Sequence, residues 1–446
     1  MTTALLLSAF APGCGSAAGS PRVPADAPNV LLVTIDTLRA DRLGFYGHTR
    51  PTSPSLDAFA SGAVVFEAAE ASASWTLPAL ASLITSEHVS THGCTNFGSV
   101  LDESFATLAE RLLAAGYDTA CVVSHIYTST RHGLQQGVVH TDDSYAFPEV
   151  DPAQSVTSQV ISDKGIRFLD QKRASPDRAP WFLWLHYFDP HEDYVQHAGI
   201  SADFMTEGER TSHQVFGDAY EGEIRYTDQH IGRVFTALEE RGFAPNTVVV
   251  VVADHGEEFG DHGGLGHGHT LHGELVRVPL VIRAPDIAPR RVSEVVRVVD
   301  VLPTLLELVG LSPPAGIAGE SLVPAMRGAP ASERPAFSEL DSGLYHFEAL
   351  RRGRFKLLRS RTDETTRLYD VELDPGETED VSAAHPDVVQ ALSDELDRLE
   401  HAAAERARLF GSSRELSLTP GQSADLEALG YGGGAAPPKE EEEAGR

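Results

Sequence analysis

The sequence predicts an α/β fold: a large, mixed but mostly parallel sheet sandwiched by helices, followed by a small C-terminal antiparallel sheet. Three observations support this prediction. Mainly apolar runs, each as long as a buried strand, recur along the first 256 residues. Segments with helical periodicity separate these runs, which is typical of a doubly wound sheet. After Pro279 apolar and polar residues alternate between turn signals, which is typical of antiparallel strands.

The composition is that of a large globular protein with an acidic balance. Of its 446 residues 41% are apolar, and 65 acidic against 35 basic side chains leave a formal charge of −30. This excess opposes nonspecific binding to nucleic acid or to an anionic lipid surface. We therefore expect no nucleic-acid partner. An anionic substrate would need a local positive group, such as a metal ion.

The first 28 residues resemble an export segment and its linker. A short apolar run and several small residues precede Cys14, and a Gly/Ser/Ala/Pro stretch follows it. The run is too short to span a bilayer. Cys14 is typical of a lipoprotein processing site, although Ala11 replaces the usual Leu and no Lys or Arg precedes the run. We expect a periplasmic or extracellular protein, lipid-anchored through Cys14; simple secretion or a misplaced start codon remain alternatives.

Four buried strands are expected in a catalytic domain that covers residues 29–334. They are VLLVTI (30–35), TACVVS (119–124), WFLWLHYF (181–188) and NTVVVVVADHG (246–256). Residues 105–117 and 225–243 have helical patterns. A small-sheet subdomain with a helix is expected at 335–410, and a flexible, charged tail at 411–446. Cys94 and Cys121 have no zinc-ribbon or disulfide-framework spacing.

Asp36, Asp254 and His255 each follow the end of a predicted strand. In a doubly wound sheet, ligands bind beyond the carboxyl ends of the strands, so these side chains are expected to converge. Two carboxylates at one cleft would repel each other unless a cation lay between them. An oxygen-rich site with one imidazole suits Ca²⁺, Mn²⁺ or Mg²⁺ better than Zn²⁺. The alternative is that Asp36 is a turn residue and Asp254 a helix cap.

Thr76 lies at the start of a predicted helix that continues through ALASLIT (79–85). Pro78 suits the first turn, because this position needs no backbone N–H. A hydroxyl at or beside the N-cap lies in the positive field of exposed N–H groups, where an oxyanion of phosphorus or sulfur would bind. A metal would also activate the hydroxyl as a nucleophile. Local sequence does not separate this role from simple capping.

Two segments supply candidate histidines. In HYFDPHEDY (186–194), His191 lies beyond the strand end and could protonate a leaving group, whereas His186 is expected to pack inside the strand. The loop from 255 to 272 is rich in glycine and histidine, and glycines let the backbone approach a ligand closely. We favour His267 and His269 as site residues over the other loop histidines, His262 and His272.

Six segments together resemble the sulfatases and their relatives in the alkaline phosphatase superfamily, over about residues 29–397. They are NVLLVTIDTLRADRLGFYG, RPTSPSLDAFASGAVVFEAAEASASWTLPALASLIT, FLWLHYFDPHEDY, VVVVADHGEEFGDHG, RVPLVIRAP and RGRFKLLR with RLYDVELDPGETEDV. The resemblance implies the sulfatase fold and metal ligation by Asp36, Asp254 and His255. It also implies that His191 contacts the transferred group and that His267 replaces a substrate-binding Lys. His125 is then expected to face the substrate.

This sequence also departs from the family pattern. Many sulfatases have a Cys/Ser-x-Pro-x-Arg motif whose first residue is oxidised to formylglycine; here Thr76 and Leu80 take its first and last positions. Formylglycine is therefore not expected, and Thr76 is the expected nucleophile and metal-facing residue, as in phosphorus-specific branches. Thr37 replaces a second Asp ligand. We expect it on the substrate side of the site, with His269.

The resemblance implies a metal-dependent hydrolase that cleaves a sulfate or phosphate ester. The expected substrate is an anionic ester of a sugar, a lipid or an aryl alcohol. The first alternative is a transferase that passes a phosphoryl-alcohol group, of phosphoglycerol type, to an acceptor. The second is a catalytically inert binding protein on a sulfatase scaffold, which Leu80 and Thr37 would favour.

Overall fold

The computed structural model of the chain describes residues 22–24, 26–145, 157–191, 194–330 and 333–416. The predicted export segment with Cys14, and the predicted tail from residue 417 onward, lie outside the described residues. Within these ranges, none of the helices has the length and apolar character needed to cross a membrane.

Strands and helices alternate along the described chain. The strands are β1 (Asn29–Ile35), β2 (Val64–Glu70), β3 (Ser99–Val100), β4 (Asp118–Val123), β5 (His140–Asp142), β6 (Trp181–Tyr187), β7 (Thr247–Ala253), β8 (Glu258–Phe259), β9 (Leu265–Gly266), β10 (Arg277–Arg283), β11 (Arg290–Arg297), β12 (Ala336–Asp341), β13 (His346–Arg352), β14 (Phe355–Ser360), β15 (Thr365–Asp370) and β16 (Arg414–Glu415). The helices are α1 (Pro54–Ser61), α2 (Thr76–Thr85), α3 (Val89–His92), α4 (Leu108–Ala114), α5 (Ser158–Ala174), α6 (Ser212–Glu240), α7 (Gly273–Val276), α8 (Val301–Leu308), α9 (Val323–Met326) and α10 (Pro386–Ala407).

The large sheet has eight strands in the order β11-β2-β10-β7-β1-β6-β4-β5. All its pairings are parallel except those of β10, which runs antiparallel to β7 and to β2. The central strands β1, β6 and β7 are buried along their whole lengths, as expected of parallel strands covered on both faces. The predicted mixed, mostly parallel sheet is therefore confirmed.

The small sheet is antiparallel, with the order β12-β13-β14-β15. Helix α10 covers it through a separate apolar cluster, which consists of Phe337, Leu350, Leu357, Leu368, Leu392 and Leu396. The predicted small C-terminal sheet is thus also confirmed. The chain then returns to the catalytic part of the molecule, because β16 pairs with β3. Buried Glu87, just after α2, forms an ion pair with Arg406 of α10.

The strand order determines where the site can lie. Strand β1 lies between β6 and β7, and all three run in the same direction. Ile35 at the end of β1 is level with Tyr187 of β6 on one side and with Ala253 of β7 on the other. The residues that follow these three strands therefore meet at one edge of the sheet.

Candidate active site

Three carboxylate and imidazole side chains converge at the carboxyl ends of β1 and β7. The ligand atoms of Asp36, Asp254 and His255 lie within 4.8 Å of one another, and each of these residues is 0% exposed. Asp36 comes directly after β1, and the other two come directly after β7. The structure thus brings together residues that are more than two hundred positions apart in the sequence.

The carboxylate oxygens of this cluster have few protein partners. Among the described residues, no donor forms a hydrogen bond of normal geometry with Oδ1 or Oδ2 of Asp36 or with Oδ2 of Asp254. Burial raises the pKa of Asp36 to about 8, and burial followed by the nearby charge of Asp36 raises the pKa of Asp254 well above its usual range. Buried acceptors without donors are costly. A divalent cation would satisfy them, so the residues present fit a metal site.

His255 offers an imidazole lone pair to the same point. Its Nδ1 lies 2.9 Å from the carbonyl oxygen of Gly256, which can only accept, so Nδ1 carries the proton. The unprotonated Nε2 lies 3.4 Å from Oδ1 of Asp36 and 3.8 Å from Oδ2 of Asp254. Burial lowers the pKa of His255 well below its usual range. The ring is therefore neutral and oriented as a metal ligand would be.

Thr76 is the first residue of α2. Trp75 occupies the N-cap position with an extended backbone, so the hydroxyl of Thr76 lies just inside the helix. Thr76 Oγ1 is 3.4 Å from Nε2 of His255, and the residue is 0% exposed. Pro78 lies in the first turn, as predicted. The sequence left nucleophile and cap as alternatives, and the structure brings the hydroxyl to the carboxylate and imidazole cluster.

Thr37 has a backbone conformation that is rare for a β-branched residue. Its φ is 54°, in the left-handed region. Its N–H donates to Oδ1 of Asp254 at 3.3 Å, and its carbonyl oxygen accepts from the Tyr220 hydroxyl at 2.7 Å. The strained turn thereby links the end of β1 to the end of β7. Thr37 Oγ1 is buried and has no hydrogen-bond partner among the described residues.

Arg39 holds this turn against the loop that follows β7. Its guanidinium donates to both oxygens of Asp261 at 2.9 and 3.1 Å, and to the carbonyl oxygen of Glu257 at 3.0 Å. It also forms an ion pair with Asp41 at 2.9 Å. Arg39 is only 5% exposed, so the guanidinium itself is largely removed from water.

Three further histidines surround the cluster. The ring of His267 lies 4.6 Å from that of His255 and 4.9 Å from that of His191. The ring of His125, which follows β4, lies 5.6 Å from that of His191. Nδ1 of His267 lies 2.8 Å from Oε1 of Glu257, and this contact sets the direction of its ring. The structure therefore brings the predicted residues His125, His191 and His267 to the same place.

His269 lies elsewhere. Its Nε2 is 2.7 Å from Oε2 of Glu258, and its ring is 6.4 Å from that of Tyr345 on the small-sheet side. It lines a cavity of about 170 Å³ that also contains His262 and His272. The described contacts of His269 are with this cavity and not with the carboxylate cluster.

Sequence reasoning missed two residues at the site. His186, expected to be a packing residue, has its Nε2 3.4 Å from Oδ2 of Asp36. Glu257 holds His267 and also accepts a hydrogen bond from the Tyr194 hydroxyl at 3.0 Å. The signal for His186 was its place near the end of the WFLWLHYF strand. The signal for Glu257 was its position two residues after His255.

Comparisons with known proteins identify the family. The family model "Sulfatase" matches residues 28–311, and the model "N-sulphoglucosamine sulphohydrolase, C-terminal" matches residues 260–402. Human arylsulfatase A is 27% identical over 87% of this chain and 90% of its own length. The Δ4,5-hexuronate-2-O-sulfatase of Bacteroides thetaiotaomicron is 23% identical over 83% and 86%.

Solved structures share the fold. The phosphonate monoester hydrolase of Agrobacterium radiobacter superposes with a TM-score of 0.73 and 22% identity, over 84% of this chain and 96% of that one. Since the sulfatase model covers well over half of the sequence, the chain belongs to the sulfatase family and is an ester hydrolase of sulfatase type.

Proposed function

We propose that this hydrolase uses Thr76 as its nucleophile, with a divalent metal beside it. The position of Thr76 Oγ1 carries the proposal: it lies in the first turn of α2 and 3.4 Å from Nε2 of His255. A helix N-terminus favours a bound anion, because its first N–H groups point outward and carry partial positive charge. A sulfate or phosphate group bound there would have its central atom within reach of the hydroxyl.

Asp36, Asp254 and His255 would hold the metal, with Thr76 facing it. Their oxygen-rich character suits Ca²⁺, Mn²⁺ or Mg²⁺ better than Zn²⁺. When bound, the ion lowers the pKa of a neighbouring hydroxyl and offsets negative charge on the transferred group. The unpartnered oxygens of Asp36 and Asp254 support this ligand set. They also argue against the inert-scaffold alternative, because such a scaffold gains nothing from burying carboxylates without partners.

Each side chain of the site has a separate role in the cleavage of the ester. Thr76 Oγ1, after releasing its proton to water, forms a bond to sulfur or phosphorus as the ester bond on the opposite side breaks. His191 or His267 donates a proton to the leaving oxygen, and Glu257 keeps the His267 ring in place through Nδ1. Water then adds to sulfur or phosphorus and gives one proton back to that histidine, while Thr76 leaves as the alkoxide. His125 and Thr37 would contact the transferred group, and His269 would contact a part of the alcohol that reaches the small sheet.

Formylglycine chemistry has no place in this proposal. A threonine carries a methyl group on Cβ, so oxidation cannot convert it to the formylglycine aldehyde. Leu80, buried in α2 at 0% exposure, also stands in place of the motif's arginine. A threonine alkoxide favours phosphorus, which agrees with the fold relative named a phosphonate monoester hydrolase. The relatives named as sulfatases favour sulfur.

Hydrolysis of four matched esters tests the proposal: an aryl sulfate, a phosphate monoester, a phosphate diester and a phosphonate monoester. The metal-loaded protein is compared with Thr76→Val, which keeps the shape without the hydroxyl, and with Thr76→Ser, which keeps the hydroxyl. Turnover should fall by about 10³-fold or more in the first variant and by much less in the second. Full turnover in Thr76→Val would refute the nucleophile.

The transferase alternative is favoured by the same threonine ester, because an alcohol could release the group in place of water. Product analysis with added glycerol tests it. A glycerol ester formed in preference to the free acid would identify a transferase. Free acid alone would support the hydrolase.

Export and lipid anchoring through Cys14 belong to the same proposal. Growth with a labelled fatty acid tests the anchor: label should appear on the wild-type protein and be absent from Cys14→Ala. An unlabelled protein found in the periplasm or medium would support simple secretion.

A further inference from the structure

Two histidines flank the carboxylate of Asp36, one at each oxygen. Nε2 of His255 lies 3.4 Å from Oδ1, and Nε2 of His186 lies 3.4 Å from Oδ2. All three residues are 0% exposed. Because the bond from His255 Nδ1 to the Gly256 carbonyl leaves its Nε2 unprotonated, His255 presents a lone pair. The role of His186 depends on which of its own nitrogens carries the proton.

A chain of hydrogen bonds decides the tautomer of His186. The indole Nε1–H of Trp184 can only donate, and it donates to Thr34 Oγ1 at 2.9 Å. Thr34 Oγ1 lies 2.8 Å from Nδ1 of His186, its direct neighbour in the pairing of β1 with β6. Among the described residues the Thr34 hydroxyl has no other acceptor, and Thr34 is 0% exposed. The hydroxyl therefore donates to Nδ1, and the ring proton lies on Nε2.

A protonated Nε2 cannot bind a cation, and the geometry agrees. The mutually close ligand atoms belong to Asp36, Asp254 and His255, and His186 is not part of that set. Its Nε2 lies beside the Asp36 carboxylate instead, outside hydrogen-bond geometry. At 3.4 Å this is a charge–dipole contact, longer than a full hydrogen bond.

We propose that His186 is a positioning residue for the metal site: the Trp184–Thr34–His186 chain places the protonated Nε2 beside Oδ2 of Asp36, so that Oδ1 would be the oxygen that helps to hold a metal ion. This inference rests on the metal site of the proposed function. The role matters here because Thr37 supplies no carboxylate at the next position. Asp36 is then the carboxylate ligand from the β1 turn, and its orientation controls affinity. Partners of this kind typically change metal affinity by 10–100-fold.

The tautomer is measured on the metal-free full-length protein, with ¹⁵N-labelled histidine and NMR. The resonances absent from His186→Gln should report an unprotonated Nδ1 and a protonated Nε2. In Thr34→Val, which removes the donor without changing the shape, the ring should lose this preference. Thr119→Val is the matched control, because its hydroxyl also lies in a buried strand but donates to Gly137. A protonated Nδ1 in the wild type would overturn the proposal.

Metal binding is measured by calorimetry with Mn²⁺ alone. His186→Leu and Thr34→Val should weaken binding by about tenfold or more, and His186→Gln, which keeps an N–H donor, should restore most of the affinity. Unchanged affinity in His186→Leu would refute the positioning role. Circular dichroism checks that each variant is folded.

Pulsed EPR of the Mn²⁺ complex separates positioning from ligation. Nitrogen coupling should come from a single imidazole in both the wild type and His186→Leu. Two imidazoles in the wild type and one in the variant would make His186 a ligand and overturn the inference. If the wild type binds none of Mn²⁺, Mg²⁺ and Ca²⁺, the metal site of the proposed function fails. That failure is distinguishable, because the tautomer measurement needs no metal.

Discussion

At the scale of one residue, Thr37 has a strained backbone beside a proposed metal ligand, Asp254. A β-branched residue with φ of 54° costs on the order of 1–3 kcal/mol, and the surrounding hydrogen bonds hold it there. Asparagine and aspartate tolerate this conformation better. The position therefore offers a direct test of whether a second carboxylate from this turn would improve the metal site.

We expect Thr37→Asn to stabilise the metal-free protein by about 1 kcal/mol, because it relieves the strain without adding charge. Thr37→Asp should destabilise the metal-free protein, because it adds a negative charge beside Asp254, and should bind Mn²⁺ more tightly than the wild type. Thermal unfolding with and without Mn²⁺ measures both effects. Equal Mn²⁺ affinity in the aspartate and asparagine variants would contradict this prediction.

The general acid can be assigned by comparing leaving groups. A proton donor matters for a basic alkyl alcohol and little for nitrophenol, because nitrophenolate leaves without help. Whichever of His191→Gln and His267→Gln removes the acid should lose about 10²-fold in kcat on an alkyl ester and far less on a nitrophenyl ester. Glu257→Gln should show a weaker form of the His267 pattern. Equal losses on both esters would point to substrate binding instead.

The residues directly after strand ends were predictable from the sequence. Asp36, Asp254 and His255 each follow an apolar run, and their position relative to the sheet was enough to select them. The role of His186 was not predictable, because its neighbour Thr34 belongs to a strand 152 residues away. The placement of His269 beside the small sheet was not predictable for a related reason. Glycine-rich loops give no periodicity, so the side of the loop on which each histidine lies depends on the fold.

At the scale of elements, a charged histidine joins the loop after β7 to the small-sheet part of the chain. Nδ1 of His262 lies 2.7 Å from a carboxylate oxygen of Glu274, and its Nε2 lies 3.1 Å from the carbonyl oxygen of Glu377. Its ring stacks on that of His272 with centroids 3.6 Å apart. Both nitrogens face acceptors, so the imidazolium is stabilised, and the pKa of His262 is raised to about 9, burial opposing and the bond to Glu274 favouring the charge.

This pairing predicts a pH dependence of stability. The pKa of His262 in the folded protein lies above its unfolded value of about 6.5. Its contribution to the free energy of unfolding is therefore fully present below pH 6.5 and disappears as the pH rises through 9. The free energy of unfolding of His262→Gln should be lower than that of the wild type by about 2 kcal/mol at pH 6 and nearly equal to it at pH 9.5. Thermal unfolding against pH measures this, with exposed His401→Gln as the control. A pH-independent difference would contradict it.

Some strands of the large sheet could be predicted from the sequence and others could not, for a physical reason. Strands β1, β4, β6 and β7 are buried on both faces, so their sequences are nearly continuous apolar runs. Strands β2, β10 and β11 carry charged residues within or at their ends, and β11 is partly exposed. Their place in the large sheet comes from pairing with distant strands, and local pattern does not encode it.

At the scale of the whole molecule, the formal charge of −30 acts on the approach of an anionic ester. Long-range repulsion lowers the encounter rate, and added salt screens it over about 10 Å at 0.1 M. We expect kcat/KM for a charged ester to rise with KCl from 10 to 200 mM, while kcat stays nearly constant. Initial rates measured across this range of KCl concentration give kcat/KM and kcat, and a second inert salt serves as the control. A fall in kcat/KM would indicate that a local positive field dominates.

The domain boundaries expected from the sequence, 29–334 and 335–410, remain a prediction. The two parts of the chain also contact each other. The backbone N–H of Glu339 in β12 donates to the carbonyl oxygen of Ser72 at 2.9 Å, a few residues before Thr76. The small sheet therefore supports the segment that leads into α2.

The pairing of β16 with β3 has a consequence for biosynthesis. A ribosome delivers residues 99–100 more than three hundred codons before residues 414–415, yet the two segments complete one ribbon. Glu87 likewise cannot form its ion pair until Arg406 has been synthesised. Until the distal segment emerges, the nascent catalytic part has an unpaired strand edge and lacks the ion-pair partner of Glu87. A chaperone that shields this edge during synthesis should raise the yield of soluble protein, and a stop codon before residue 400 should lower it.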